Sequence, residues 1–439
     1  MLYEPTGYDH RHWPQSYWRA SCAGLPAFPP LNGETQAEVA IIGAGYAGLN
    51  AALELVERHS ANVVVLEAAQ PGWGASGRNG GFCCLGGARL DTGQITRRFG
   101  QDAAKEWDRF THDAIARVQD NLARYRIDAQ TTEPGELTLA ASPRAWAKMR
   151  AETLGEGAAL LDRNALRANG LSTATYLGGT YNPAGFGLHP YAYATGLARA
   201  AQMAGVRLHG DSRVTRITSQ AGGWRLDTAT GSVVAKQVLI ASNGYSSEHL
   251  VPWLARRILP AISNVMVTRP LTPQELEAQG WTRHLMAYDN RFLLHYFRLL
   301  PDNRLMYGAR GGLSFEPASV ARFAQRARAE FDLTFPHFKQ AETEFAWNGL
   351  VCMTATRAPF IGPVPAQNGL WLALGWHGNG VAAASEGGRR VARAIMGSPQ
   401  AAPALARRPL PRFVAPRKWA LATGMAFAGL IDGPMKVQA

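Results

Sequence analysis

Cysteine is scarce in this chain. The four present in 439 residues, Cys22, Cys83, Cys84 and Cys352, are spaced irregularly, which excludes a disulfide framework and a zinc site and fits a reducing cytoplasm. Long apolar runs are missing too: no stretch of about 18 uncharged apolar residues occurs, so no membrane-spanning helix is expected. Residues 1–20 are full of His, Arg, Trp and Tyr, unlike a secretory signal, and the protein is expected to be unsecreted. Acidic residues are in deficit, 33 against 45 Lys and Arg, for a net charge of +12. The basic residues are spread thinly and carry no nucleic-acid signature, so nucleic acid is not an expected partner; solubility or an anionic substrate accounts for the balance. Internal repeats and low-complexity tracts are also lacking.

What is present begins with a βαβ unit over residues 37–68: an apolar strand at 39–42, a Gly-rich turn, a helix through 49–58 and the strand 63–66. Gly43-Ala44-Gly45-Tyr46-Ala47-Gly48 is G-x-G-x-x-G directly after a strand and opening a helix, the context that makes this pattern specific. Gly43 permits the tight turn, Gly45 lets the backbone approach a pyrophosphate, and Gly48 lets the helix pack close to the strand. The pyrophosphate then meets the unpaired N–H groups at the helix start. Glu67 ends the second strand, 24 residues beyond Gly43, where a carboxylate accepts from ribose hydroxyls. The fingerprint alone does not choose between FAD and NAD. No second such pattern follows a strand elsewhere, so electrons are expected to arrive from the substrate.

Further strands are expected at 214–218 and 233–241, and residues 370–396 again run strand, Gly-rich loop, helix. Residues 99–126 read as helical, 136–140 as a short strand, and 265–314 as strands alternating with turns. These pieces imply an α/β (α+β overall) architecture: a Rossmann-type domain from residues 1–95, 185–250 and 345–400, and an inserted mixed or antiparallel-sheet substrate domain from 96–184 and 251–344. The tail, 401–439, holds Arg407, Arg408, Arg412, Arg417, Lys418 and Lys436 against Asp432. Its apolar stretch 419–431 is too short to span a bilayer. It either docks on the protein's own body or meets a membrane surface or partner.

The glycine-dense loop Gly72-Trp73-Gly74-Ala75-Ser76-Gly77-Arg78-Asn79-Gly80-Gly81 follows the second strand. With it come Gly187-Leu188-His189-Pro190, residues 239–245, Trp347-Asn348-Gly349, residues 357–362 and Gly375-Trp376-His377-Gly378-Asn379-Gly380. In this order and spacing the chain resembles the D-amino-acid oxidase-type flavoproteins, and within them the gamma-glutamylputrescine oxidase branch. The resemblance implies FAD. It places Gly43, Gly45, Tyr46, Ala47, Gly48, Glu67 and Ala68 at its ADP half, with Val214 at the adenine. Trp73, Gly74, Ala75, Ser76, Arg78, Asn79, Gly80, Gly81, Ser242, Asn243 and Gly244 approach the cofactor from the loops. Gly375, His377, Gly378, Asn379, Gly380 and Val381 bring a helix N-terminus to the flavin, able to stabilise negative charge on its reduced ring.

The implied reaction is hydride transfer from the carbon beside an amine nitrogen, with oxygen or another acceptor, a quinone or protein, reoxidising the flavin. Such chemistry asks for positioning groups more than acids and bases. The candidates are His377, Arg357, Tyr296 and Arg298, the last two sharing a strand face by alternation so that Arg298 can pair with a substrate anion. Alpha-amino-acid oxidases of the family carry an Arg where this chain has Val351, which argues against a simple alpha-amino acid. The implied substrates are amines bearing an acidic or amide group, such as a gamma-glutamyl amine, a cyclic imino acid or an N-methyl amino acid. The flavin is expected to be non-covalent; Cys352 lies in the region where some relatives attach it.

Overall fold

The computed structural model describes residues 2–23 and 27–438. Strand Gly33–Ile42 is flanked in parallel by Val63–Leu66 and Gly231–Ile240. Arg207–His209 and Leu370–Leu374 extend this sheet in parallel on either side, and Phe360–Pro363 closes it antiparallel. A ribbon of Arg216–Gln220 and Gly223–Asp227 joins it through Gly231–Ile240. Strand Val63–Leu66 is buried at all four positions, as a central parallel strand covered on both faces must be. Helices Tyr46–His59, Gln101–Arg124, Pro190–Met203 and Gly380–Ile395 supply one covering layer. The closest helix contact is made by absent side chains: a Cβ on Gly388 would stand 2.2 Å from the Ala47 carbonyl oxygen.

A second, nine-stranded sheet runs Thr343–Thr354, Ile258–Thr268, Leu305–Arg310, His295–Leu299, Met286–Asp289, Pro134–Leu139, Gly178–Gly187, Phe82–Cys83, with Ala159–Asp162 paired to Gly178–Gly187. All its pairs are antiparallel except Met286–Asp289 with Pro134–Leu139. Its odd-numbered residues, among them Leu137, Leu139, Ala287, Phe297 and Tyr307, form an apolar cluster with helix Pro317–Thr334. The opposite side, which carries the even-numbered residues of Met286–Asp289, His295–Leu299 and Leu305–Arg310 and the odd-numbered Ser263 and Val265 of Ile258–Thr268, faces the cavity described below.

Several sequence expectations shift by a few residues. The 99–126 helix is two, Thr92–Phe99 and Gln101–Arg124, broken at Gly100 with φ +88°. Val214 precedes its strand, which begins at Arg216. Strand Thr343–Thr354, expected in the Rossmann-type part, pairs along its length with Ile258–Thr268 in the second sheet, and Phe82–Cys83 also belongs there. Backbone pairing claims these segments because each lies beside a strand edge that needs hydrogen bonds. The tail docks through helix Arg417–Asp432: Leu421 and Ala428 are buried, Asp432 accepts from the Phe292 and Leu293 amides, and Arg417 pairs with Glu248. Its other side leaves Trp419, Phe427, Leu430 and Ile431 exposed. No helix among the described residues is long and apolar enough to cross a membrane.

Under the second sheet His295, 3% exposed, is held between Asp289 at 2.7 Å and Glu330 at 3.1 Å. Burial alone would lower its pKa; the two carboxylates outweigh it and raise the value to about 9. A raised folded-state pKa stabilises fully below the unfolded value of about 6.5 and ceases to as pH climbs through about 9. The melting temperature is therefore expected to fall from pH 6.5 to 9, and His295→Gln to have a lower but flatter profile over that window. A variant profile as steep as that of the parent would contradict this.

Candidate active site

A cavity of about 490 Å³ runs from the Gly43–Ala47 turn to the side of the second sheet opposite its apolar cluster. The turn is built as the glycines require. Gly43 has φ +107°, and a Cβ on Gly48 would lie 2.0 Å from the Gly43 oxygen, so helix and strand meet at backbone distance. Glu67 accepts from the Ala44 amide at 2.7 Å and the Ala69 amide at 3.2 Å. Burial raises its pKa and these amides pull it back. The glycine-dense loop folds over the helix start: Ser76 Oγ accepts from the Tyr46 amide at 3.0 Å, and the Asn79 amide bridges the Ala75 and Ser76 carbonyls. Arg78 is 8% exposed, donates to the Trp73 carbonyl at 2.7 Å and lies 4.3 Å over the Trp73 ring.

At the far end His377 holds φ +53°. Its Nε2 is 3.1 Å from Thr354 Oγ1 and its Nδ1 is buried without a partner. Burial, helped by the Arg89, Arg310 and Arg357 charges, pushes its pKa down to about 3, against the pull of the Ala358 backbone carbonyl. The ring is therefore held neutral near pH 7. Helix Gly380–Ile395 starts beside it without a side-chain cap, since Asn379 donates instead to the Leu85 carbonyl at 2.8 Å.

Of the residues expected from sequence, the cavity is lined by Gly43, Gly45, Tyr46, Ala47, Glu67, Ala68, Trp73, Gly74, Ala75, Ser76, Arg78, Asn79, Gly80, Val214, Ser242, Asn243, His377, Gly378, Asn379, Gly380, Val381 and Tyr296. Six do not reach it. Gly48, Gly81, Gly244 and Gly375 serve backbone packing: a Cβ on Gly81 would stand 1.9 Å from the Leu188 oxygen, on Gly244 3.3 Å from Leu350 Cβ, and on Gly375 2.6 Å from Thr354. Arg298 shares the face of Tyr296 as alternation requires, but it lies deeper. It is 1% exposed, donating to the Gly80 carbonyl at 3.0 Å and the Leu188 carbonyl at 2.6 Å, and it clamps the loop. Arg357, at φ +63°, acts on His377 through its charge, and its carbonyl accepts from the Arg89 amide at 2.7 Å.

Sequence reasoning passed over Arg310, Tyr288, Cys84, Phe82, Ser263 and Val265 in the lining. Strand register would have found several of them, since Tyr288 is opposite Tyr296, Tyr296 opposite Gly308, and Arg310 opposite Ser263. Val351 and Cys352 also line the cavity. Burial raises the Cys352 thiol to about 12, which leaves almost no thiolate for attachment to a flavin.

This is the architecture of a flavoprotein oxidoreductase: a dinucleotide turn, an arching glycine loop and an opposing antiparallel sheet enclosing one cavity. The chain belongs to the FAD dependent oxidoreductase family, whose model matches residues 38–394. It is 32% identical to gamma-glutamylputrescine oxidoreductase of Escherichia coli over 403 residues, 90% of this chain and 92% of that protein. Among solved structures it is similar to glycine oxidase from Geobacillus kaustophilus, with a TM-score of 0.68 at 24% identity over 87% of this chain and all of that one. L-proline dehydrogenase from P. horikoshii also has a TM-score of 0.68, at 18% identity over 87% of this chain and 96% of that one. The protein is an FAD-dependent oxidoreductase of the amine and amino-acid oxidase kind.

The cavity fits that cofactor on its own evidence, since a side chain at Gly45 would crowd Ser76 Oγ over the turn and the His377 Nδ1 is orphaned at the opposite end. A Cβ on Gly45 would already be 2.8 Å from Ser76 Oγ, so Gly45→Val is expected to be purified with less than about a tenth of the normal FAD. The flavin absorbance ratio reads this, and full flavin in the variant would contradict the placement. Acid precipitation of the parent protein should leave the yellow colour in the supernatant; colour retained in the pellet would mean a covalent link.

Proposed function

We propose that the protein oxidises an amine that also bears an acidic or amide group, taking a hydride from the carbon beside the nitrogen. The imine product is hydrolysed, and with oxygen as acceptor the second product is hydrogen peroxide. The observation that carries this reading is Arg310. Its guanidinium lines the cavity, its one hydrogen bond goes to the His377 carbonyl at 3.3 Å, and it has no carboxylate within ion-pair distance among the described residues. Burial, with Arg89 beside it, lowers its pKa to about 10. A desolvated cation without a counter-ion is costly, and a ligand anion relieves the cost. Asp289, the nearest acid to act on it, is committed to His295.

In this reading Val351 occupies the position of the family's carboxylate-binding arginine, and Arg310 supplies the cation from another strand. The anion is thereby moved, which suits a substrate whose acid group is remote from the reacting amine. Gamma-glutamylputrescine, named for the Escherichia coli relative, has that form; cyclic imino acids and N-methyl amino acids are the other candidates. The turn at 43–48 and Glu67 would hold the pyrophosphate and ribose, and residues 73–80 and 377–381 the flavin. When bound, FAD supplies the hydride acceptor. Tyr288, Tyr296, Phe82 and Val265 wall the substrate end and exclude water. The two-domain division expected from sequence, with strands 82–83 and 343–354 moved to the substrate side, is part of the same proposal. All four cysteines are free, as in a reducing cytoplasm. A second reading, a dehydrogenase delivering electrons to a quinone or protein, is favoured by the exposed Trp419, Phe427, Leu430 and Ile431 of the tail helix.

The test is anaerobic addition of primary, secondary and acid-bearing amines while the flavin band is followed. Bleaching by an acid-bearing amine is expected; a band that none of them bleaches would remove the reading, and readmitted air separates oxidase from dehydrogenase. Arg310→Met should weaken binding of that amine about 100-fold, roughly 3 kcal/mol. It should leave an uncharged analogue almost unaffected, and equal weakening of both would refute the anion site.

A further inference from the structure

The pairing that places Arg310 on the cavity side of the second sheet also places a carboxyl there. Glu136 lies opposite Met286, and Thr138 opposite Tyr288, in the sheet's one parallel pair. Residues two apart share a face, so Glu136, Tyr288 and, across the next pairing, Tyr296 are on one side. The opposite side carries the apolar cluster of Leu137, Leu139, Ala287 and Phe297. Glu136 is 4% exposed and its Oε2 has no hydrogen-bond partner. The titratable groups that face it are Cys83 and Cys84 from the segment above and Tyr288 from the adjoining strand, and no cation is among them. Cys84 and Tyr288 both line the cavity, so the carboxyl stands one residue behind its wall.

A carboxyl buried without a cation and with one oxygen unsatisfied destabilises the fold. An amine substrate has the complementary need: at neutral pH it arrives as an ammonium ion, and its carbon releases a hydride only when the nitrogen lone pair is free. We propose that Glu136, acting through the Tyr288 hydroxyl, receives the proton that the substrate ammonium loses before hydride transfer.

The step balances. An N–H bond of the ammonium breaks as an O–H bond forms on Tyr288, while the original Tyr288 proton moves to the Glu136 carboxylate; no electrons are exchanged. Burial moves the two groups toward each other, raising the carboxyl and lowering the ammonium. Burial holds Glu136 at about 7, with Cys84 and Tyr288 opposing the rise. Glu136 acts through another residue and is a positioning and proton-holding group; Tyr288 touches the substrate.

The inference rests on the amine-oxidation reading. The experiment uses the FAD-loaded protein with whichever panel amine reduces the flavin fastest, and follows the reduction rate under anaerobic conditions from pH 5 to 10. The parent rate should rise with pH through about 7, because below that the carboxyl already holds its proton. Glu136→Gln should lose this limb, fall about 100-fold near neutrality and recover toward the parent at high pH, where the free amine is already neutral. Tyr288→Phe should repeat that pattern. In infrared difference spectra, amine binding should produce a protonated-carboxyl band in the parent that Glu136→Gln lacks. A purely structural Glu136 would produce neither the high-pH recovery nor the band.

A Glu136→Gln profile that keeps the limb near 7, with rates within about threefold of the parent, overturns the proposal while leaving amine oxidation intact. Loss of rate at every pH in both variants overturns it as well. A flavin that no amine reduces removes both readings.

Discussion

Between the two sheets, the loop over residues 72–81 is held so tightly that side chains are excluded from several of its positions. A Cβ on Gly80 would stand 2.8 Å from the Tyr296 ring, on Gly77 2.1 Å from the Gly72 oxygen, and on Gly81 1.9 Å from the Leu188 oxygen. Arg298 fastens this contact from beneath by donating to the Gly80 and Leu188 carbonyls, and Trp347 donates to the Arg78 carbonyl at 2.8 Å. The cavity exists because of this clamp. The loop lines it from the dinucleotide side, residues of the second sheet such as Ser263, Val265, Tyr288, Tyr296 and Arg310 line it from the other, and strand Phe82–Cys83 carries the chain from one sheet into the other.

Charge is distributed unevenly around the enclosed space. Burial, with the charges of Arg89, Arg310 and Arg357, holds the ring of His377 neutral, while the carboxyl of Glu136 lies along the same sheet behind Tyr288 and Cys84. Arg310 and Glu136 both lack an ion-pair partner among the described residues, which a structural role would provide. A ligand with an anion at one place and an ammonium at another compensates both. An apolar substrate would leave two uncompensated charges.

The dinucleotide half was legible in the sequence because its signals are local. A strand, a glycine turn and a helix within 30 residues fix one another: Gly43, Gly48 and Glu67 each have a backbone reason for their identity, and Gly45 stands against Ser76. The substrate half was less legible because its residues meet only through strand register. Alternation correctly put Tyr296 and Arg298 on one face, yet which of the two reaches the cavity depends on depth, set by where Gly80 and Leu188 lie. Arg310 and Glu136 carry no local motif; one ends a strand of the sheet and the other sits in a short apolar strand 174 residues earlier. The family resemblance pointed to Val351 as a missing arginine, and Arg310, the cation proposed in its stead, lies on a strand no linear pattern connects to it.

The most direct measurement of this account is a crystal structure of the FAD-bound protein soaked without oxygen in an acid-bearing amine that reduces it. The account predicts the substrate acid group on the Arg310 guanidinium, the amine nitrogen within hydrogen-bond reach of Tyr288, and the dinucleotide along Gly43–Ala47 and Glu67. An acid group bound elsewhere, with Arg310 left facing solvent or an apolar part of the substrate, would contradict it.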